Sequence, residues 1–200
     1  MKINIFKSYS KTIYHEKSKI RVKGKNEWLH PDVVSVYYPF NDYDNLTTQV
    51  QKSLSIDTLI KIFSFEIKKS LNFSNLRQYY FQAVSNSSWA NEGYLVCYYL
   101  EDDVEFMNEL QRLNSSFGIG VIRLNPDDVV QSEIVFPARE NLNLDWTTID
   151  RLIGENLDFQ QFFLAIIEDI QLGKIKSKYD KVLHEEELAK HINDKNISKV

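Results

Sequence analysis

The sequence predicts an α/β fold in which a mixed β-sheet is flanked by helices, with a C-terminal helical extension. Apolar runs of strand length recur along the chain, most clearly at 32–38 and 93–100. Segments with apolar residues at helical spacing lie between these runs, and those at 76–84 and 106–113 are the clearest. Strands that alternate with amphipathic helices indicate a sheet covered by helices.

Turn residues and candidate caps divide the chain into elements. After Trp146 two helices are predicted, and the second carries a core stripe from Phe159 to Ile170 that includes Ile167. Trp28 and Trp146 are predicted to be packing residues. The earlier elements, in order, are short strands at 11–15 and 18–22, a turn at 24–26, a strand at 32–38, a polar excursion at 39–57, a strand carrying Glu66 and Lys68, a helix capped by Ser74, a strand at 93–100, a helix capped by Asp102 or Asp103, a strand at 118–124 and a short peripheral strand at 132–136.

Length and composition favour one domain. The 200 residues, 43% of them hydrophobic, suffice for one well-filled core but not for two large domains. We therefore predict a catalytic-type domain over 1–172 and a charged, partly helical, exposed tail over 173–200. The single cysteine, Cys97, lies in an apolar run, which indicates a buried thiol in a reducing compartment. No apolar stretch approaches the roughly 18 residues that span a bilayer, so we expect a cytoplasmic protein without membrane contact.

Two carboxylates and a lysine mark a candidate catalytic site. Pro31-Asp32 opens one apolar run, and Glu66-Ile67-Lys68 lies near the end of another. Alternate residues of a strand share a face, so Glu66 and Lys68 emerge side by side, about 7 Å apart along the strand. The triplet is the only Asp/Glu-x-Lys in the sequence. Such a pair is also common as a solvated ion pair on an edge strand, so the triplet alone does not identify a site.

This mixture of side chains suits metal-dependent hydrolysis of phosphodiesters. Hard oxygen ligands hold Mg²⁺ while most of its waters are retained. An ammonium group can orient or deprotonate the attacking water and counter the charge that develops on the phosphate.

Longer motifs surround these residues and carry a family resemblance. The chain resembles the HrgA-like family of bacterial proteins, which belongs to the restriction-endonuclease-like PD-(D/E)XK superfamily, over most of 11–170. The matching stretches are Trp-Leu-His-Pro-Asp-Val-Val at 28–34, Phe-Glu-Ile-Lys-Lys at 65–69, Tyr-Phe-Gln-Ala-Val-Ser-Asn-Ser-Ser-Trp-Ala-Asn-Glu-Gly-Tyr-Leu-Val at 80–96, Phe-Gly-Ile-Gly-Val-Ile at 117–122 and Leu-Asp-Trp at 144–146.

The resemblance implies a restriction-endonuclease-like core and a set of site residues. Asp32 and Glu66 would bind Mg²⁺ or Mn²⁺, with the main-chain carbonyl of Ile67 as a further ligand. Lys68 would be the catalytic lysine. Gln82 is similar to the glutamine that many members place on the following helix to contact water or the scissile phosphate, and an ordinary polar surface residue is the alternative.

Three upstream residues are auxiliary candidates, each with an alternative interpretation. His15 and Glu16 are predicted to lie together on an early strand. Glu16 would replace the upstream carboxylate common in the superfamily, or it is a surface residue beside Lys17. His30, next to Pro31, would contact substrate or cap the strand.

Candidate DNA contacts come from a basic segment and a polar one. The net charge of −4 argues against a generally basic DNA-coating protein, so any positive surface must be local. A basic run before Asp32 either borders the metal site or forms a solvated hairpin. The polar segment around Trp89 either ends a helix, with Trp89 as a buried anchor, or contacts phosphates. The basic residues are Lys11, Lys17, Lys19, Arg21, Lys23 and Lys25, and the polar candidates are Asn86, Ser87 and Asn91.

The sequence therefore predicts a Mg²⁺-dependent DNA endonuclease associated with a restriction-modification system. A truncated, non-catalytic module that binds nucleic acid or protein on the same fold is the alternative, since only about ten residues precede Lys11, where the family resemblance implies a first helix. The resemblance also implies a DNA-binding domain that is separate or missing here. Double-strand cutters of this class often form dimers, so a homodimer is a further expectation.

Overall fold

The structure of the chain is a computed structural model that describes residues 7–18, 30–54, 60–125, 128, 131–176 and 179–181. It contains a six-stranded sheet whose spatial order follows the chain. The strands are β1 (Tyr9–Thr12), β2 (Val33–Tyr37), β3 (Lys61–Leu71), β4 (Glu92–Leu100), β5 (Gly120–Arg123) and β6 (Glu133–Phe136).

The sheet is mixed because it combines antiparallel and parallel strand pairs. The first three strands form an antiparallel meander, and β6 returns antiparallel to β5. The pairs β3–β4 and β4–β5 are parallel, and each is joined by a helix, as a parallel crossover requires. The described helices are α1 (Asn45–Leu54), α2 (Leu76–Ser87), α3 (Val104–Phe117), α4 (Trp146–Glu155) and α5 (Leu157–Leu172).

Helices α2, α3, α4 and α5 pack against one face of the sheet. Directly paired residues share a face, so Val34 and Ser64, and likewise Glu66 and Leu95, point the same way. Val34 belongs to a buried cluster with side chains of α4 and α5, whereas Leu95 belongs to one with side chains of α2 and α3. Glu66 therefore projects towards the helices, near the place where the two clusters meet.

The opposite face of the sheet carries a smaller cluster. Its buried members are Phe63, Tyr94, Val96 and Ile122. The rings of Phe65 and Tyr94 stack there, with centroids 5.8 Å apart. Phe63, Phe65 and Ile67 thus point away from Glu66 and Lys68, as strand alternation requires.

Several predicted elements agree with the structure. A mixed α/β sheet flanked by helices is present, β2 and β4 lie within two residues of their predicted bounds, and α3 begins after a predicted cap. Asp103 caps α3 by accepting hydrogen bonds from the amides of Glu105 and Phe106. Cys97 and Trp89 are buried, as expected.

Other predicted elements were wrong. His15 lies in a 3₁₀ turn, His15–Lys17, and not on a strand. Part of the supposed polar excursion forms α1, and the residue before α2 is Asn75, not Ser74. Trp146 and Ile167 are each half exposed instead of packed in the core. The predicted turn at 24–26, Trp28 and most of the predicted strand at 18–22 lie outside the described residues.

The start of the predicted tail packs on the domain. Ile175 and Tyr179 contact the cluster that α4 and α5 form with the sheet. The amide of Asp180 donates to the carbonyl of Ser10 at 2.8 Å, beside the edge strand β1. The exposed tail predicted from 173 onward is therefore partly wrong for these residues, and 182–200 lie outside the described residues. Within the described ranges, no helix is both long and apolar enough to cross a membrane.

Candidate functional site

Asp32 is held against β3 at the point where β2 begins. Its amide donates to the carbonyl of Phe65 at 3.1 Å, and its Oδ2 accepts from the amide of Ile67 at 2.7 Å. Strand β3 continues past this point to Leu71, whereas β2 begins only at Val33. The Asp32 carboxylate therefore accepts the hydrogen bond from the Ile67 amide that a main-chain carbonyl of a longer β2 would accept. The carbonyl of Ile67 lies on the same strand edge, because the N–H and C=O of one strand residue point to the same neighbour.

Glu66 and Lys68 form an ion pair on the helix-facing side of β3. Lys68 Nζ lies 2.5 Å from Glu66 Oε1. The Glu66 side chain is 1% exposed and that of Lys68 is 17% exposed, so the pair is largely withdrawn from water. The ammonium of Lys68 also lies 5.1 Å from the ring centroid of Tyr79 on α2.

Asn86 of α2 completes the environment of Glu66. Its Nδ2 donates to Glu66 Oε2 at 2.7 Å, and both residues are buried. The carbonyl of Asn86 accepts from Ser64 Oγ and Trp89 Nε1, which fixes the end of α2 against β3. Asn86 Oδ1 is buried and has no hydrogen-bond partner among the described residues. The Asn86 side chain therefore hydrogen-bonds Glu66 through Nδ2, whereas its own Oδ1 has no partner in the described part of the chain.

His15 reaches the outer side of the same group. Its Nε2 lies 3.2 Å from Asp32 Oδ1, and its side chain is 55% exposed. Asp32 is 30% exposed, so exposure rises from Glu66 through Asp32 to His15. The structure therefore brings together His15, Asp32, Glu66 and Lys68 from three separate parts of the sequence.

The charges of these groups act on one another. Burial raises the pKa of Glu66, and the negative charge of Asp32 raises it further. The hydrogen bonds from Lys68 and Asn86 lower it but do not cancel this rise. Burial also works to raise the pKa of Asp32, but the hydrogen bonds from His15 and the Ile67 amide outweigh it and the pKa is lowered. The bond to Asp32 raises the pKa of His15. Asp32 is therefore the group most readily kept ionised.

The candidate ligand oxygens of Asp32, Glu66 and Ile67 suit a divalent cation that keeps several of its waters. Two carboxylates and a main-chain carbonyl are hard ligands, and Mg²⁺ is usually held by one or two carboxylates with several waters. Each carboxylate oxygen already accepts one hydrogen bond, from Lys68, Asn86, His15 or the Ile67 amide, but each has a second lone pair. Among the described residues, no group of three or more His, Cys, Asp or Glu side chains is placed to hold a metal ion, so any ion here would depend on the two carboxylates, a carbonyl and water.

The remaining auxiliary candidates lie in different settings. Gln82 is partly buried on the α2 stripe between Tyr79 and Asn86, and its side chain has no hydrogen-bond partner within the described part of the chain. Glu16 is exposed on the turn beside His15. His30 is 1% exposed, lies 3.3 Å from the carbonyl of Leu152 and contacts Phe159, so it is a core residue and not a substrate contact.

The polar DNA-contact candidates are buried, which corrects that expectation. Asn86 holds Glu66, and Ser87 donates to the carbonyl of Ala83 inside its own helix. Asn91 accepts from the amide of Ile62 and donates to the carbonyl of Asn141. Their polar atoms thus face the protein interior instead of a nucleic acid.

Two residues of the basic run are described, and both pair with acids. Lys17 Nζ lies 2.8 Å from Asp158, and Lys11 Nζ lies 3.6 Å from Asp180. Lys19, Arg21, Lys23 and Lys25 lie outside the described residues. The interpretation of that run as a phosphate contact stays a prediction for these four.

No protein-family model, no curated protein and no solved structure matches the chain. The function must therefore be argued from the geometry of the site itself.

Proposed function

We propose that the protein is a Mg²⁺-dependent endonuclease of restriction-endonuclease-like type that hydrolyses phosphodiester bonds in DNA. One observation carries the proposal. The Ile67 amide binds Asp32, which sets this carboxylate beside the strand that presents Glu66 and Lys68. An antiparallel meander followed by a helical crossover to a parallel strand is the order expected for such a core, and the resemblance to HrgA-like proteins supports the same interpretation.

The chain's own residues would divide the work. Asp32, Glu66 and the Ile67 carbonyl would hold Mg²⁺, which supplies a water of lowered pKa and neutralises charge on the phosphate. Lys68, beside Glu66, would orient the attacking water and stabilise the negative charge that develops on the phosphate. Asn86 would fix the orientation of Glu66.

Cleavage of plasmid DNA in the presence of Mg²⁺ tests the proposal. Asp32→Asn and Lys68→Ala should each lower the single-turnover rate by about 100-fold or more, the loss typical when a positioned charge-stabilising group is removed. Lys69→Ala is a matched control, because Lys69 is the adjacent lysine on the opposite face of β3 and is exposed. Far-UV circular dichroism and urea unfolding should show that each variant folds.

A second control distinguishes loss of a catalytic group from the general effect of neutralising a buried glutamate. Glu92 is also a buried glutamate paired with a lysine, Lys61, but it lies at the start of β4. Glu66→Gln should abolish cleavage while Glu92→Gln retains it. Equal cleavage by wild type, Asp32→Asn and Lys68→Ala would refute the nuclease proposal.

A non-catalytic binding module on the same fold is the second candidate. It is favoured by the full set of protein donors on both carboxylates, since such a network satisfies Asp32 and Glu66 without a metal ion. Calorimetric titration discriminates between the two. Mg²⁺ or Mn²⁺ binding that is lost in Glu66→Gln supports the enzyme, whereas DNA binding that is independent of metal supports the module.

Further expectations depend on the nuclease proposal. The family resemblance supports an association with a restriction-modification system, DNA as partner and a homodimer for double-strand cleavage. The unpaired, buried Cys97 supports a cytoplasmic location, where thiols stay reduced.

A further inference from the structure

The turn that carries His15 is hydrogen-bonded to the junction between α4 and α5. Asn156 caps α5 through its Oδ1, which accepts from the amides of Asp158 and Phe159. Its Nδ2 donates to the carbonyl of Tyr14 at 3.1 Å and to Ser18 Oγ at 2.8 Å. One side chain thus ends a helix and holds both sides of the 3₁₀ turn His15–Lys17.

Asp158 makes a second set of contacts with the same turn. Its Oδ2 accepts from the amide of Tyr14 at 3.2 Å, and its Oδ1 pairs with Lys17 Nζ at 2.8 Å. Asp158 is 2% exposed, whereas Lys17 is 46% exposed. A buried carboxylate is costly unless it is paired and hydrogen-bonded, so this arrangement fixes the turn firmly.

The contacts of Asn156 and Asp158 fix the position of His15. The imidazole itself is more than half exposed, so it contributes little to the core. Its Nε2 faces Asp32 Oδ1, and an ionised carboxylate only accepts, so Nε2 carries the hydrogen. The half-exposed imidazole is therefore held at the outer side of the Asp32–Glu66–Lys68 group, with its Nε2–H donated to Asp32.

We propose that His15 is a substrate-contacting residue whose Nε2–H donates to a non-bridging oxygen of the phosphodiester, and that Asn156 and Asp158 are positioning residues that hold it there. The inference rests on the proposed nuclease function. The hydrogen bond to Asp32 pre-orients the imidazole in the free protein, and the phosphate oxygen takes the place of Asp32 Oδ1 as acceptor when DNA binds. No bond to phosphorus is made or broken by His15.

The test uses a fluorescent DNA duplex and the full chain. Binding is measured by anisotropy in Ca²⁺, and single-turnover cleavage is measured in Mg²⁺. His15→Ala should lower affinity or rate by about tenfold, as for loss of a hydrogen bond to a charged group. His15→Gln, which keeps an N–H donor, should restore part of this loss. Lys69→Ala, the exposed control residue on the opposite face of β3, should match wild type.

A double variant distinguishes positioning from a general structural effect. Asp158→Ala should lower the same quantity, and His15→Ala/Asp158→Ala should be no worse than His15→Ala, because Asp158 acts through His15. Urea unfolding identifies any variant that fails to fold, in which case Asp158→Asn replaces it. Additive losses in the double variant would overturn the positioning role.

The outcomes for the two proposals differ. If wild type cleaves DNA and His15→Ala cleaves and binds equally well, the inference fails and the nuclease stands. If wild type binds DNA without cleaving it and His15→Ala binds about tenfold more weakly, the nuclease fails and the phosphate contact stands. If wild type neither binds nor cleaves DNA, both are overturned.

Discussion

The side-chain amide of Asn86 donates a hydrogen bond to Glu66 Oε2, with 2.7 Å between the two heavy atoms. Both residues are buried, so water cannot replace the donor if it is removed. Asn86→Ala should lower the free energy of unfolding at neutral pH by about 1–3 kcal/mol, the cost of leaving a buried polar group unsatisfied. Urea unfolding followed by circular dichroism measures this change.

Gln82 offers a control on the same helix stripe. Its side chain is only partly buried and has no hydrogen-bond partner among the described residues, so Gln82→Ala should change the unfolding free energy by less than about 0.5 kcal/mol. Similar losses in the two variants would show that the stripe matters as a whole and that Asn86 has no special role towards Glu66.

Close packing of α2 on β4 makes a second prediction, at Gly93. A Cβ built on Gly93 would lie 2.2 Å from Ser87 Oγ, which is far inside van der Waals contact. Gly93→Ala should therefore push the end of α2 off the sheet and cost about 1–3 kcal/mol by overpacking. Because Asn86 precedes Ser87, DNA cleavage should fall as well. Urea unfolding and the plasmid assay measure the two effects.

Gly154 is the matched glycine for this experiment. It lies inside α4, and a Cβ there would meet nothing within 4 Å. Gly154→Ala should stabilise the protein by about 0.5–1 kcal/mol, because alanine loses less backbone entropy in a helix. Unchanged stability in Gly93→Ala would contradict the tight contact between α2 and β4.

Elements governed by local pattern could be predicted from the sequence. β4 shows as an apolar run, and α3 combines an Asp103 cap with apolar residues at helical spacing. α1 carried a usable signal that was missed, since Asp44 accepts a hydrogen bond from the amide of Thr47 and so caps the helix. Its polar composition pointed instead to a loop.

The placement of Glu66 and Lys68 on one face followed from strand alternation, whereas the proximity of Asp32 to them was implied by the family resemblance. Other contacts could not be found in either way. Lys17 and Asp158 are 141 residues apart in sequence, so nothing local reveals that α5 holds the turn of His15. Asn86 is polar and was a candidate for DNA contact, yet it is buried against Glu66. Tertiary hydrogen bonds overrode the usual exposure of a polar side chain.

A buried carboxylate also anchors the segment after α5, which gives a third prediction. Tyr179 donates to Asp169 Oδ2 at 2.8 Å, and its hydroxyl lies 2.5 Å from that of Tyr38. Tyr179→Phe should lower the unfolding free energy by about 1.5–3 kcal/mol, as for loss of a hydrogen bond to a charged group. Thermal and urea unfolding measure it.

Tyr99→Phe is the control for Tyr179→Phe. Its ring is 59% exposed, so removing its hydroxyl should be nearly neutral. If Tyr179→Phe is equally neutral, the contact with Asp169 does not hold the segment on the domain.

Cys97 gives a prediction that depends on pH. Its side chain is fully buried, and burial raises the pKa of the thiol from 9.0 to about 11. Iodoacetamide near pH 8 should therefore leave the native protein unmodified but alkylate Cys97 in urea, because the thiolate is the reactive form. Mass spectrometry of the intact chain measures the modified fraction.

The same shift has a consequence for stability. The thiol has a higher pKa in the folded than in the unfolded protein, so its contribution is full below pH 9.0 and is lost as the pH rises towards about 11. The stability of wild type relative to Cys97→Ala should therefore fall over this range in urea unfolding. A constant difference, or alkylation of the native protein as fast as of the unfolded chain, would show that Cys97 is open to solvent.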